Sequence, residues 1–227
     1  MREIGLGERR LTVWREEAHF RVIRPCDAQE RETLDREQQT LDSLFGGEAS
    51  IVAFPVRDWG EELSPWKAEA VFGDRPFGSG AEETMRSLVE ETLPALENAC
   101  GSSGAYILCG YSLAGLFALY CACHTHVFSG FAAVSPSVWF PGWTDYAAGC
   151  LRPEVPVYLS LGDREEKTRH PVMSHVGEAI RAQYALLKAQ GNTCTLEWNP
   201  GNHFREPDMR CAKGAAWVIR EIREKRT

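Results

Sequence analysis

From residue 50 onward the chain alternates short apolar runs with amphipathic stretches. Ser50 to Val56, Ala105 to Gly110, Phe131 to Ser135 and Val155 to Leu161 are runs of strand length with no charge inside them. Such runs predict strands covered on both faces. Leu11 to Trp14 and Phe20 to Ile23 are rich in β-formers and read as earlier strands, and Thr193 to Trp198 as the last one. Between them lie helical patterns. Gln29 to Phe45 sets Leu34, Leu41, Leu44 and Phe45 among charges and stops at Gly46-Gly47. Ala81 to Ala99 spaces Met85, Leu88, Leu93 and Leu96 along one face, with a bend expected at Pro94. Leu113 to Cys123 is apolar all round, Val176 to Gln190 carries Ile180, Tyr184 and Leu187, and Asp208 to Lys225 closes the chain. Arg57 to Gly80 is polar, aromatic and rich in Gly and Pro; Trp59 and Trp66 mark it as a packed loop.

Strands alternating with helices predict an α/β fold, a mostly parallel central sheet with helices on both faces. In such sheets ligands bind at the carboxyl ends of the strands. The 227 residues suit a single domain over 1–227. Apolar residues make up 44% and charged residues 25%, the balance of a globular protein. The net charge of −7 argues against a nucleic-acid partner, and the arginines from Arg220 to Arg226 alternate with glutamates as on a solvated helix end. No run reaches the roughly 18 apolar residues of a membrane span, and the N-terminus lacks the apolar core of a signal peptide, so a cytoplasmic protein is expected. The eight cysteines are scattered without a C-x-x-C pair and read as small reduced hydrophobes rather than metal ligands.

One segment carries chemistry. The run Tyr106 to Cys109 leads straight into Gly110-Tyr111-Ser112-Leu113-Ala114-Gly115 and an apolar helix. A serine between strand and helix in this way is a nucleophile elbow, its hydroxyl raised above the sheet edge. The N–H of Leu113, opening the helix, then points at the oxygen of an attacked carbonyl. The fifth motif position holds Ala114 in place of glycine, one methyl group more. Ser112 needs a base, and in this fold class the order along the chain is serine, acid, histidine. His203 follows the last strand in Asn199-Pro200-Gly201-Asn202-His203. His19 precedes the serine, and His124 and His126 lie at the far end of the helix that Ser112 opens. Asp163, Glu165 and Glu166 all follow the strand that ends near Leu161, and each could orient the imidazole.

At these motifs the chain resembles the esterase family of the α/β-hydrolases that groups esterase D-type, feruloyl-type and siderophore (enterochelin-type) esterases. The resemblance runs from about Ser50 to the end. It implies an α/β-hydrolase domain without a separate lid, a serine esterase, and neither metal nor organic cofactor. It favours Glu165, three positions after Gly162, as the acid of a catalytic triad with Ser112 and His203. Ser135-Pro136-Ser137-Val138-Trp139 is similar to a pocket-lining segment of the family. The loop after Val56 occupies the place of the second oxyanion donor, assigned to the N–H of Trp59 beside that of Leu113.

The short span between Ser112 and Glu165 leaves little room for a lid, so an open site walled by aromatic residues is expected. Trp139, Tyr111 and Trp66 are the substrate-binding candidates, with Trp59, Phe140 and Trp143 as further wall candidates. The expected partner is a small or medium-sized ester, for a monomer or homodimer that touches neither membrane nor nucleic acid. Two other readings use the same chain. An acyltransferase or thioesterase would keep Ser112 and differ in acceptor or leaving group. A non-catalytic binding protein on the same scaffold would be expected to lose the serine or the histidine, and both are present.

Overall fold

The computed structural model describes residues 1–150 and 154–225. Its centre is an eight-stranded sheet in the order β1-β2-β4-β3-β5-β6-β7-β8. The strands are β1 (Arg2–Leu6), β2 (Arg9–Val13), β3 (Phe20–Cys26), β4 (Ala49–Pro55), β5 (Ala105–Tyr111), β6 (Gly130–Val134), β7 (Val157–Gly162) and β8 (Cys194–Asn199). From β4 through β8 every neighbouring pair is parallel; β1 and β2 join antiparallel at the other edge. The uncharged runs at β5, β6 and β7 are buried throughout, because helices cover both faces there.

One face packs on α2 (Leu34–Phe45) and the closing helix α9 (Pro207–Glu224), through Leu41, Ile107, Tyr158, Ala215 and Ile219. The other packs on α4 (Ala81–Ser87), α5 (Leu93–Cys100), α6 (Leu113–His124), α7 (Trp143–Cys150) and α8 (Val176–Ala189). Residues Leu113 to Ala122 of α6 are all buried, which accounts for their unbroken apolar sequence.

Local differences from the sequence pattern have physical causes. The helix expected over Gln29 to Phe45 splits into α1 (Ala28–Arg31), capped by Asp27, and α2; between them the N–H groups of Glu32 and Thr33 donate three residues back, to Gln29 and Glu30 O, in a tightened turn. Pro94 lies in the first turn of α5, where its missing N–H is harmless, and a five-residue π turn over Leu88–Thr92 precedes it. Strand β1 has little apolar character because it sits at the sheet edge, paired to β2, with Ile4 alone of its side chains packed against the core and Arg2 bonded to Ala99 O. Within the long loop a short helix α3 (Trp59–Glu62) forms, capped by the Asp58 carboxylate. Among the described residues no helix is long and apolar enough to cross a membrane.

Candidate active site

The carboxyl ends of β5 to β8 meet at one place. At the end of β5, Ser112 adopts φ 56° and ψ −120° and opens α6. A positive φ strains a side-chain-bearing residue, and here surrounding contacts impose it. The Ser112 N–H donates to Val134 O at 3.0 Å, and its carbonyl accepts from Gly115 and Ser137 N–H, each at 3.0 Å. A Cβ at Gly110 would overlap the carbonyl oxygen of Ala114, and one at Gly115 would lie 3.0 Å from Pro136 Cβ. The crowding at Gly110 is against the backbone of residue 114, so the Ala114 methyl group does not obstruct the elbow. The Leu113 N–H sits at the first position of α6, where no intrahelical acceptor exists.

Beyond β7 the chain turns back at once. Glu165 N–H donates to Gly162 O, and Glu165 Oε1 accepts the Gly162 N–H at 2.7 Å, which explains the three-residue spacing. The same oxygen accepts the Ser135 hydroxyl at 2.8 Å and Arg210 Nη1 at 3.2 Å, while Oε2 accepts His203 Nδ1–H at 2.7 Å. The other two carboxylates are engaged elsewhere: Asp163 accepts the Gly201 N–H, and Glu166 faces Arg181. Burial pushes the Glu165 carboxyl up; His203, the Gly162 N–H and the Ser135 hydroxyl outweigh burial and hold it below its ordinary value. Its contribution to stability is therefore present above the ordinary carboxyl range and is lost as pH falls through the depressed value.

The Nδ1–H bond leaves Nε2 of His203 as the basic nitrogen. Ser112 and His203 line one cavity of about 420 Å³, together with Phe72, Trp139, Met173 and Phe204. Ser112 Oγ lies 3.5 Å from Ser137 Oγ. Ser112, Ser135 and Glu206 are the three non-glycine residues with positive φ among the described residues, and all lie around this cavity or its supporting loops.

The aromatic wall differs in part from expectation. Trp139 lines the cavity. Tyr111 is buried beneath it, its ring 5.1 Å from that of His203 and its hydroxyl donating to His203 O at 2.6 Å. Trp66 packs on Phe140, Trp143 and Tyr146 and donates to Pro141 O, so neither Tyr111 nor Trp66 lines the cavity. Phe140 and Trp143 are core residues. The long loop reaches the rim instead through Phe72, whose ring meets Trp139 edge-on at 5.7 Å. His170 ties that loop down: its Nε2–H donates to Val71 O, and its Nδ1 accepts from Val172 and Met173 N–H. Trp59 is the first residue of α3. Its neighbours Arg57 and Asp58 donate their N–H groups to Glu62 Oε1, and no acceptor for the Trp59 N–H occurs among the described residues.

Arg210 and Phe72 escaped the sequence reading, and Ser135, in the segment similar to a pocket-lining stretch, instead donates to Glu165. Arg210 had a signal: it falls in register with Gly214, Val218 and Ile222 on the buried face of α9, where a charge needs partners.

A family model described as "Putative esterase" matches residues 13–202. The chain belongs to this esterase family. The esterase is thus a carboxylic ester hydrolase with an α/β fold, and its sheet is that of solved relatives. An IroE-like serine hydrolase from Shewanella oneidensis superposes with a TM-score of 0.80 at 14% identity, covering 96% of this chain and 79% of that one. The siderophore hydrolase EstA from Aspergillus nidulans gives 0.70 at 19% identity, covering 96% and 93%. The enterobactin esterase FES from Shigella flexneri, solved with 2,3-di-hydroxy-N-benzoyl-glycine, gives 0.70 at 18% identity, covering 96% of the esterase and 59% of its own chain. No curated protein matches the esterase in sequence.

Proposed function

We propose that this esterase is a serine hydrolase acting through an acyl-enzyme on Ser112, with His203 as base and Glu165 as the acid that orients it. The observation that carries the reading is the 2.7 Å bond between the buried Glu165 carboxylate and the half-buried His203, opening on the same cavity as a serine held at φ 56°. In the reactive complex Ser112 Oγ donates to His203 Nε2. His203 takes the serine proton as the oxygen attacks the ester carbonyl, and the Glu165 carboxylate stabilises the imidazolium. The oxyanion is met by Leu113 N–H and the positive end of α6. His203 then protonates the leaving alcohol, and water repeats the cycle to release the acid.

The Trp59 N–H, which opens α3 and has no internal acceptor among the described residues, is the second oxyanion donor in this reading; Trp59 is not among the residues that line the cavity, so the assignment rests on the place of its loop in the family. Trp59→Pro removes that N–H at the first helical position, where proline is favoured, while Trp59→Ala removes only the side chain. The proline variant is expected to show a kcat lower than the alanine variant by about 10²-fold. Equal kcat values would move the donor to the turn after β3, the strand paired directly with β5.

The substrate fits an ester of modest size with a planar aromatic group, lying against Phe72, Trp139 and Phe204, and the exposed Arg164 at the same cavity suits an anionic substituent. The siderophore and enterobactin esters named for the solved relatives combine with this rim to make aromatic siderophore-type esters the first to test. A fluorophosphonate probe should label the intact protein on Ser112 and fail to label Ser112→Ala. A folded wild-type protein that takes no label would overturn the reading.

A further inference from the structure

Arg210 stands in the first turns of α9 with its side chain 4% exposed, bonded to the Glu165 carboxylate and to the loop that carries His203. Nη1 donates to Glu165 Oε1 and to the Tyr111 hydroxyl, each at 3.2 Å, and reaches Ser135 Oγ at 3.5 Å. Nη2 donates to the carbonyls of Pro200 and Asn202, each at 3.0 Å. The Tyr111 hydroxyl in turn donates a hydrogen bond to His203 O at 2.6 Å. Three carbonyls of the loop that bears the histidine are therefore held from below, two by one guanidinium and the third by a tyrosine attached to it. Only a planar fork with several fixed donors can satisfy this set.

We propose that Arg210 is a positioning residue for His203, and that its charge sets the pH range in which the imidazole is available as base. The proposal rests on the serine-hydrolase reading above and assigns its control. Geometry supplies the first half. Glu165 Oε1 is filled by the Gly162 N–H, Ser135 and Arg210, so Oε2 alone faces the imidazole and the carboxylate cannot rotate.

Charge supplies the second half. A buried carboxylate beside histidine stabilises the imidazolium and thus favours a protonated, inactive base. A permanent cation on the same carboxylate offsets that attraction, and in a buried site the offset is weakly screened. Glu165 is the carboxylate paired with Arg210; Arg164, at the same cavity, is exposed to solvent, and the other carboxylates nearby are engaged elsewhere. Asp163 is bonded to the Gly201 N–H. Asp208 on α9 is paired with Arg36 from α2, and Glu206 with Arg205. Burial pushes the Tyr111 hydroxyl up, so it stays a neutral donor.

The test compares wild type, Arg210→Met and Arg210→Lys, each checked for folding by circular dichroism and thermal melting. Two readouts are taken against pH: kcat/KM for p-nitrophenyl acetate, and the titration of the His203 ring protons by NMR. Arg210→Met should lower kcat by about 10- to 100-fold with KM little changed. Its acid limb and its NMR midpoint should both move to higher pH by about one unit. Arg210→Lys, which keeps the charge and loses the fork, should show the lowered kcat with a midpoint near that of wild type. Where methionine prevents folding, Arg210→Gln takes its place. A midpoint that stays or falls in the uncharged variant, or lysine and methionine variants that behave alike, overturns the proposal. Failure of the serine-hydrolase reading is separately visible as absent fluorophosphonate labelling of the wild type, and the NMR titration reads Arg210 in either case.

Discussion

Ser112→Ala is expected to lower kcat for p-nitrophenyl acetate or butyrate by on the order of 10⁴-fold or more, leaving a folded protein with an unchanged far-ultraviolet spectrum. The size of the effect follows from the division of labour. Without the hydroxyl no acyl-enzyme forms, and the oxyanion donors and cavity act on a direct attack by water. His203→Ala should fall to a similar level, since members of one catalytic unit are not additive. A second substitution separates chemistry from strain. Ser112→Gly should be equally inactive yet more resistant to urea than Ser112→Ala, by about 1–2 kcal/mol, because glycine accepts φ 56° without cost. Equal urea midpoints would mean that the elbow stores no strain. Residual turnover within tenfold of wild type in Ser112→Ala would place the nucleophile elsewhere.

Gly110→Ala should cost about 3–5 kcal/mol of stability or prevent folding. The added methyl group has nowhere to go: the Ala114 carbonyl oxygen already occupies its position, and that oxygen belongs to the first turn of a helix buried on every side. Urea denaturation followed by tryptophan fluorescence measures the loss. The informative comparison is Ala114→Gly, which removes a methyl group that obstructs nothing and should change stability by about 1 kcal/mol or less. A large effect there and a small one at Gly110 would reverse the steric account of the elbow.

The contrast between these two positions also shows what could be read from the chain. The Gly110-Tyr111-Ser112 turn was legible because a buried strand and a buried helix flank it, each with its own periodicity, and the junction has few ways to close. The carboxyl-end placement of Ser112, Glu165 and His203 followed from strand order along the chain. The support beneath them did not. Arg210 and Tyr111 act through bonds between residues 99 positions apart, and no local pattern encodes such a bond. The rim failed for a related reason: tryptophan serves equally as wall and as core, and only packing decides between them. Trp139 came out on one side of that choice and Trp66 and Trp143 on the other. Strand β1 and helix α7 were missed because neither has a strong apolar period: β1 packs only Ile4 on the core, and α7 packs through Trp143, Tyr146 and Ala147.

The attachment of the loop over residues 56–80 has a consequence for how such a protein can change. Its tip brings Phe72 to the cavity, and it is fastened by the Ala68–Phe77 bridge, the Trp66–Pro141 bond and the His170 latch. None of these anchors is shared with Ser112, Glu165 or His203, which hang from the ends of β5, β7 and β8. The Phe72 side of the rim thus sits on a stretch of chain apart from the three candidate residues, whereas Arg164 and Phe204 adjoin Glu165 and His203 directly. Variation in the loop can redraw the range of esters admitted while the reacting groups stay in register, so descendants of one sequence could diverge in diet without first losing their chemistry.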